Sequence, residues 1–236
     1  SSLRTSATLP TPVAGDAAVA AIAAVVDELR GAADEEIVAV GVGLPSMIDR
    51  RTGRVRMTAN LDLADMDVAE ILRQRLGVPV VLDNDANLAA FAEHRVGAAR
   101  EVGDIVMLTV GTGVGGGAIV DGAIFHGGSG TGAELGHMVV QADGPRCQRN
   151  CPNRGCLETM CSGTAIARDA GMPTPEVVRL ARDGDAAAIA VLDRAGSYLG
   201  VGLASLANIF NPDAFVIGGG VGDAGWLLLD PAIREY

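Results

Sequence analysis

With 236 residues, 49% of them apolar and 20% charged, the chain can bury a sizeable core, which excludes a disordered protein. Acidic residues exceed basic ones by 29 − 18 = 11, and a surface of that sign repels phosphate backbones, so nucleic-acid binding by this chain is not expected. All 18 basic residues are arginine, and without lysine there is neither Schiff-base chemistry nor a Walker-type P-loop. The 32 glycines follow no collagen-like period and are expected in turns and ligand loops. No apolar run reaches the ~18 residues of a membrane span, so no membrane partner is expected. Ser1-Ser2-Leu3-Arg4 shows neither an initiator Met nor a signal peptide, and the chain stops at Tyr236 inside what reads as a helix; a piece of a longer protein is expected. Four cysteines are too few for a disulfide scaffold of this size, and metal binding in a reducing compartment, the cytoplasm, fits them better.

Residues 1–10 are expected to form an edge strand. A helix follows from Asp16, a good N-cap, to Gly31, with Val19, Ile22, Val25, Val26 and Leu29 on the helical period. Ile37–Leu44 reads as a buried strand, and Asp67-x-x-Glu70 as a capping box opening a helix to Leu76. Val78–Asp83 is a β-branched strand and Ala86–Val96 a helix. This alternation predicts an α/β fold with parallel pairing. The pattern changes near Gly97, which places a boundary between two lobes, 1–98 and 99–236. Strands are expected at Ile105–Val110 and Gly116–Val120, then a hairpin turn at Asp121-Gly122 into Ala123–His126. Thr174-Pro175-Glu176 starts a helix with Pro at its first position. Asp185–Ile209 is a long helix whose Gly196, Gly200 and Gly202 allow close packing, and Ala214–Ile217 is a strand.

The segment Thr109–Gly117 carries glycines between two strands. Such a loop lets backbone N–H groups approach an anion, with Thr112 adding a hydroxyl; a tight hairpin without a ligand is the other reading. Gly218-Gly219-Gly220, at a strand C-terminus, fits a nucleotide loop or a packing turn. Asp83-Asn84-Asp85-Ala86-Asn87 joins a strand to a helix. Its polar side chains can cap the helix, or face a cleft where a carboxylate beside an amide accepts a hydroxyl proton. Glu134 and His137 lie three residues apart, ahead of Cys147-x3-Cys151-x4-Cys156. One imidazole and three thiols make the Cys3His set of a closed tetrahedral zinc site, the alternative being reduced structural cysteines. Such a site has no open position, so its zinc shapes a loop, which would hold Glu158 rigidly. Cys161 is left over as a small buried residue.

In this order, DNDAN at 83–87, VGTGVGGG at 110–117, ELGH at 134–137, NRGCLE at 153–158 and NPDAFVIGGG at 211–220 resemble the motifs of the ROK family (repressor, open reading frame, kinase) over nearly all of the chain. The resemblance implies an actin-like (ribonuclease H-like) two-lobed ATPase fold, here incomplete at both termini, with sugar deep in the interlobe cleft and nucleotide above it. It implies ATP-dependent phosphorylation of a hexose at its 6-hydroxyl, with ATP and Mg2+ as donor and glucose as the first candidate substrate. Asp85 would be the base. Asn60, Asn84, Glu134, His137 and Glu158 would hold sugar hydroxyls, His137 also binding zinc with Cys147, Cys151 and Cys156. Gly111, Thr112, Gly113 and Gly115 would contact phosphates, and Gly218, Gly219 and Gly220 the adenosine side. A homo-oligomer, dimer or tetramer, is implied as well.

The chain departs from the family pattern at four points. An Asp-x-Gly-Gly-Thr phosphate hairpin and a terminal helical region are absent, Cys-x3-Cys stands for the usual Cys-x-Cys, and Ser46 stands where glycine is frequent. The chain by itself is therefore expected to keep sugar recognition and to transfer little phosphate. The alternatives are the sugar-sensing domain of a ROK repressor, a ROK kinase for N-acetylhexosamine, fructose or mannose, a polyphosphate donor, and a binding-only remnant.

Overall fold

The computed structural model describes residues 5–32, 36–49, 52–58, 61–148 and 151–236. Its contacts divide the chain into two compact units, Ser1–Leu88 with His126–Gly132, and Ala89–Phe125 with Ala133–Tyr236.

In the first unit, helix α1 (Gly15–Ala32) buries Val19, Ala23 and Val26, one turn apart each, in a core shared with Leu63, Leu72 and Val80. Strand β1 (Val40–Leu44) pairs in parallel with β4 (Val80–Asn84). Between them in sequence lie a hairpin, β2 (Ser46–Asp49) with β3 (Arg54–Thr58), and helix α2 (Val68–Leu76). The Asp67 side chain caps α2 by accepting from Glu70 N–H at 3.1 Å, and Gly77 ends it in the left-handed region at φ 68°. The hairpin was not anticipated. Asp49 holds its turn through Thr52 N–H and pairs with Arg56 at 2.6 Å. The expected strand at 1–10 is corrected over residues 5–10, which form no secondary structure, Pro10 having no N–H to give a ladder; residues 1–4 lie outside the described residues.

Helix α3 (Asp85–Val96) begins in the first unit and carries the chain into the second. There a four-stranded sheet has the order β7-β6-β5-β8, with β5 (Ile105–Val110) parallel to β8 (Ala214–Gly218) and antiparallel to β6 (Val114–Val120), which pairs with β7 (Ala123–Ile124). Strand β6 starts two residues before its expected position, so the glycine loop narrows to 111–113. Asp121 and Gly122, at φ 52° and 73°, make the expected tight turn. Strand β5 is covered on both sides: Val106, Leu108 and Val110 enter one core, Ile105 and Met107 another.

The first of those cores is closed by α4 (Leu157–Cys161), α5 (Gly163–Ala170), α6 (Thr174–Arg182), α7 (Ala186–Phe210) and α8 (Trp226–Glu235). The short pair α4 and α5 was not anticipated. Asp185 caps α7 through Ala188 N–H at 2.8 Å. A side chain on Gly196 or Gly200 would overlap the Leu228 or Ala232 carbonyl of α8, which is why glycine stands there. By length and apolar content alone α7 could cross a membrane, but Leu192, Leu199 and Leu206 lie buried in this core.

Candidate active site

The β4–α3 junction belongs to the first unit. Parallel pairing brings the ends of β1 and β4 side by side, Leu44 opposite Asn84. Asn84 Oδ1 accepts from the N–H groups of Ala86 and Asn87 at 2.9 and 3.1 Å, so Asn84 caps α3. Its amide also reaches the Ser46 carbonyl at 3.4 Å. Asp83 is the hub of the junction. Its Oδ1 accepts from Asn84 N–H at 2.8 Å and Asn87 Nδ2 at 3.1 Å, and its Oδ2 lies 2.7 Å from His126 Nε2. Asp85, two residues on, is exposed at the positive end of the helix. Gly43 passes close beneath it, where a Cβ would come within 3.2 Å of Asp85 Cα. Asn60, the further sugar-side candidate, lies outside the described residues.

The two glycine clusters belong to the second unit. Strands β5 and β8 are parallel neighbours, Thr109 opposite Gly218, so the loops leaving their C-terminal ends are adjacent. Gly219, at φ 92°, runs so close to Val110 that a Cβ would overlap its carbonyl; Gly219 and Gly220 are exposed. In the loop 111–113 every carbonyl is engaged. Gly111 O accepts from Gly163 N–H at 2.7 Å, Thr112 O from the Thr164 hydroxyl at 2.7 Å, and Gly113 O from Gly111 N–H at 2.9 Å. The N–H groups of Thr112 and Gly113 and the Thr112 hydroxyl have no hydrogen-bond partner among the described residues. Three donors at the loop tip, beside the N-terminus of α5, form a cradle for an anion. Gly115 stands in β6 opposite Thr109 rather than in the loop.

A ribbon at 138–148 and 151–157 carries the cysteines Cys147, Cys151 and Cys156. Val140 N–H bonds Gly155 O at 2.9 Å, Gly155 N–H bonds Pro145 O at 2.8 Å, and Cys147 N–H bonds Asn153 O at 2.9 Å. Gly155, at φ 61°, lies where a Cβ would overlap the Gln141 carbonyl. The donor atoms of His137, Cys147, Cys151 and Cys156 all fall within 4.8 Å of one another. Cys147 Sγ is 3.4 Å from His137 Nδ1, and Cys151 Sγ is 3.9 Å from Cys156 Sγ. Zn–S bonds of about 2.3 Å and Zn–N bonds of about 2.0 Å give tetrahedron edges of about 3.5–3.8 Å, so this donor set fits zinc. The four cysteines are free thiols. Without a metal, burial and then the neighbouring sulfurs push the Cys147 thiol up.

Glu158, on the first turn of α4, accepts from Val114 N–H through Oε2 at 3.0 Å. Glu134 is exposed at the start of the 3-10 turn Leu135–His137, its carbonyl accepting from His137 N–H at 3.0 Å. Within the second unit, therefore, the Cys3His donor group, Glu158 and the glycine loop come together. The pairing of Asp83 with His126 is not legible in the sequence, because the contact spans 43 residues and leaves no local signal.

The family model for the ROK family matches residues 2–236. The chain belongs to the ROK family. It is 35% identical over 251 residues to a glucokinase of Streptomyces coelicolor, covering 97% of this chain and 78% of that protein. The fold is the actin-like ATPase fold of ROK structures. The ROK hexokinase from Thermus thermophilus matches with a TM-score of 0.85 at 38% identity, over 96% of this chain and 79% of that one. A ROK glucokinase from Streptomyces griseus, in complex with glucose and AMPPNP, matches with a TM-score of 0.82 at 34% identity, over 95% and 78%. The xylose repressor of Bacillus subtilis is 31% identical over 186 residues, 77% of this chain and 48% of that protein.

Proposed function

We propose that this ROK chain is the sugar kinase portion of a glucokinase, transferring the γ-phosphoryl group of ATP to the 6-hydroxyl of glucose. The anion cradle carries the reading: its carbonyls are tied down and its donors are open, an arrangement that a sugar sensor has no need to keep. Glucokinases and a glucose–AMPPNP complex among its relatives support it.

Phosphoryl transfer needs positioning, a base at the attacking hydroxyl and charge stabilisation on the phosphates. Asp85 accepts the proton of the 6-hydroxyl. Asn84 is fixed by capping α3, so its amide meets a sugar hydroxyl at little entropic cost, while Asn60, Glu134, His137 and Glu158 hold the others. The open N–H groups of Thr112 and Gly113 and the Thr112 hydroxyl receive phosphate oxygens, with Gly111 and Gly115 flanking them and Gly218–Gly220 on the adenosine side. Mg2+ bound with the nucleotide supplies the charge that lysine would otherwise bring. His137, Cys147, Cys151 and Cys156 would hold zinc with all four positions filled, which orders the ribbon and does not activate water. Free thiols suit a reducing cytoplasm, and assembly as a dimer or tetramer belongs to the same reading, checked by light scattering.

The test is glucose 6-phosphate formation by the full-length protein with MgATP or polyphosphate, run against mannose, fructose and N-acetylhexosamines. Turnover on glucose with ATP is expected. Tight glucose binding with no transfer from either donor would instead support the sugar-sensing reading that the repressor relative raises.

A further inference from the structure

We infer that Glu158 is a positioning residue for the phosphate loop, through which the metal-binding ribbon holds that loop in its anion-binding shape. The inference rests on the kinase reading above and adds to Glu158 a task that sugar binding does not require.

Val114, the first residue after the loop, is gripped from two sides. Its N–H is bonded by Glu158 Oε2 at 3.0 Å. Its carbonyl lies so close to Gly136 that a Cβ there would overlap it. Gly136 precedes His137, and Glu158 follows Cys156 by two residues, so both grips adjoin a cluster donor. The two arms are joined to each other, Leu157 N–H bonding Met138 O at 2.8 Å. A Cβ on Gly113 would overlap Glu158 Oε2, so the carboxylate packs directly along the loop backbone. One grip orients the Val114 peptide and the other sets its depth. Together they aim the preceding N–H groups of Gly113 and Thr112. Glu158 Oε1 stays available to a sugar hydroxyl.

The test is calorimetric binding of Mg–AMPPNP to the full-length protein without sugar, so that a sugar ligand's loss is not read. Losing a charge-assisted hydrogen bond that orders the loop should weaken nucleotide binding roughly tenfold in Glu158→Ala. Glu158→Gln keeps an acceptor for Val114 N–H and should stay within about threefold of the parent. Gly113→Ala displaces the carboxylate from the other side. It should weaken binding by itself and add little in the Glu158→Ala background, since both changes break one contact. Circular dichroism confirms folding of each variant, and the Glu158→Gln result stands alone if Glu158→Ala does not fold. Unchanged nucleotide affinity in Glu158→Ala, tighter binding in both Glu158 variants, or full additivity with Gly113→Ala would each overturn the inference. A parent that binds no nucleotide at all would instead overturn the kinase reading.

Discussion

Asp83 and Asp85 are two residues apart and differ in everything that matters for proton transfer. Asp83 is held by Asn84 N–H, Asn87 Nδ2 and His126, so its oxygens are already engaged. Asp85 is exposed and bonds Ala86 N–H at 2.9 Å. Asp85→Asn is nearly isosteric and should leave glucose affinity within a small factor, while turnover falls by about 10²–10⁴-fold, the usual worth of a general base. Turnover within about threefold of the parent would move the base elsewhere. Asn84→Ala has two consequences with separate readouts. Loss of the cap should lower stability by about 1 kcal/mol in a urea titration. Loss of the amide should raise the KM for glucose with less effect on that for ATP. Cys161 shows burial acting on a thiol: enclosure, and then the Glu158 charge, push it up to about 12. A raised thiol pKa keeps the group neutral at pH 8, where the reactive thiolate is scarce. Iodoacetamide followed by mass spectrometry should therefore label Cys161 only after unfolding. Rapid labelling of the folded protein at that site would contradict its burial.

Among the elements, those set by local chemistry were legible in the sequence. The Asp67 cap and the Asp121-Gly122 turn rest on residues within four positions and appear where the pattern put them, whereas Asp16, expected as an N-cap, lies inside the first turn of α1, and Asp185, expected as the first residue of α7, caps it instead. The Cys3His spacing was legible too, since a cluster of donors is itself the signal. The hairpin β2–β3 was not. Its turn depends on Asp49 pairing with Arg56 across the hairpin, and nothing in the run Arg50-Arg51-Thr52-Gly53 announces a strand on each side. The bond from Val114 N–H to Glu158 spans 44 residues, so Glu158 could be read as held by a zinc loop but not as holding a glycine loop. The ribbon gives this its test. Metal analysis of freshly purified, reduced protein should find about one zinc per chain, and bound zinc should shield Cys147 and Cys151 from alkylation. Chelation should speed amide hydrogen exchange over 138–157 and at 111–114, while the centre of β5, buried on both faces, stays protected. A disulfide between any two of the cluster thiols, or unchanged exchange after chelation, would count against a structural metal.

At the scale of the whole molecule, charge makes an unusual demand on a nucleotide-binding protein. The chain carries a net charge of −11 and no lysine. MgATP arrives with a net charge of about −2, so the long-range field opposes its approach. On the proposed reading attraction comes from short-range donors, the N–H groups of Thr112 and Gly113 and the Thr112 hydroxyl, whose dipoles act within a few ångströms. Salt separates the two. Raising ionic strength from about 0.01 M to 0.15 M shortens the screening length from about 30 Å to about 8 Å. That change removes most of the repulsion and leaves the contacts in the cradle intact. The KM for MgATP should therefore hold steady or fall as salt rises, the reverse of what a basic phosphate site shows. Glucose is uncharged, so its KM should not follow salt and serves as the internal control. A KM for MgATP that climbs steeply with salt, with the KM for glucose flat, would mean that arginines gathered near the nucleotide outweigh the net charge, and that a cationic clamp rather than the backbone cradle supplies the binding energy.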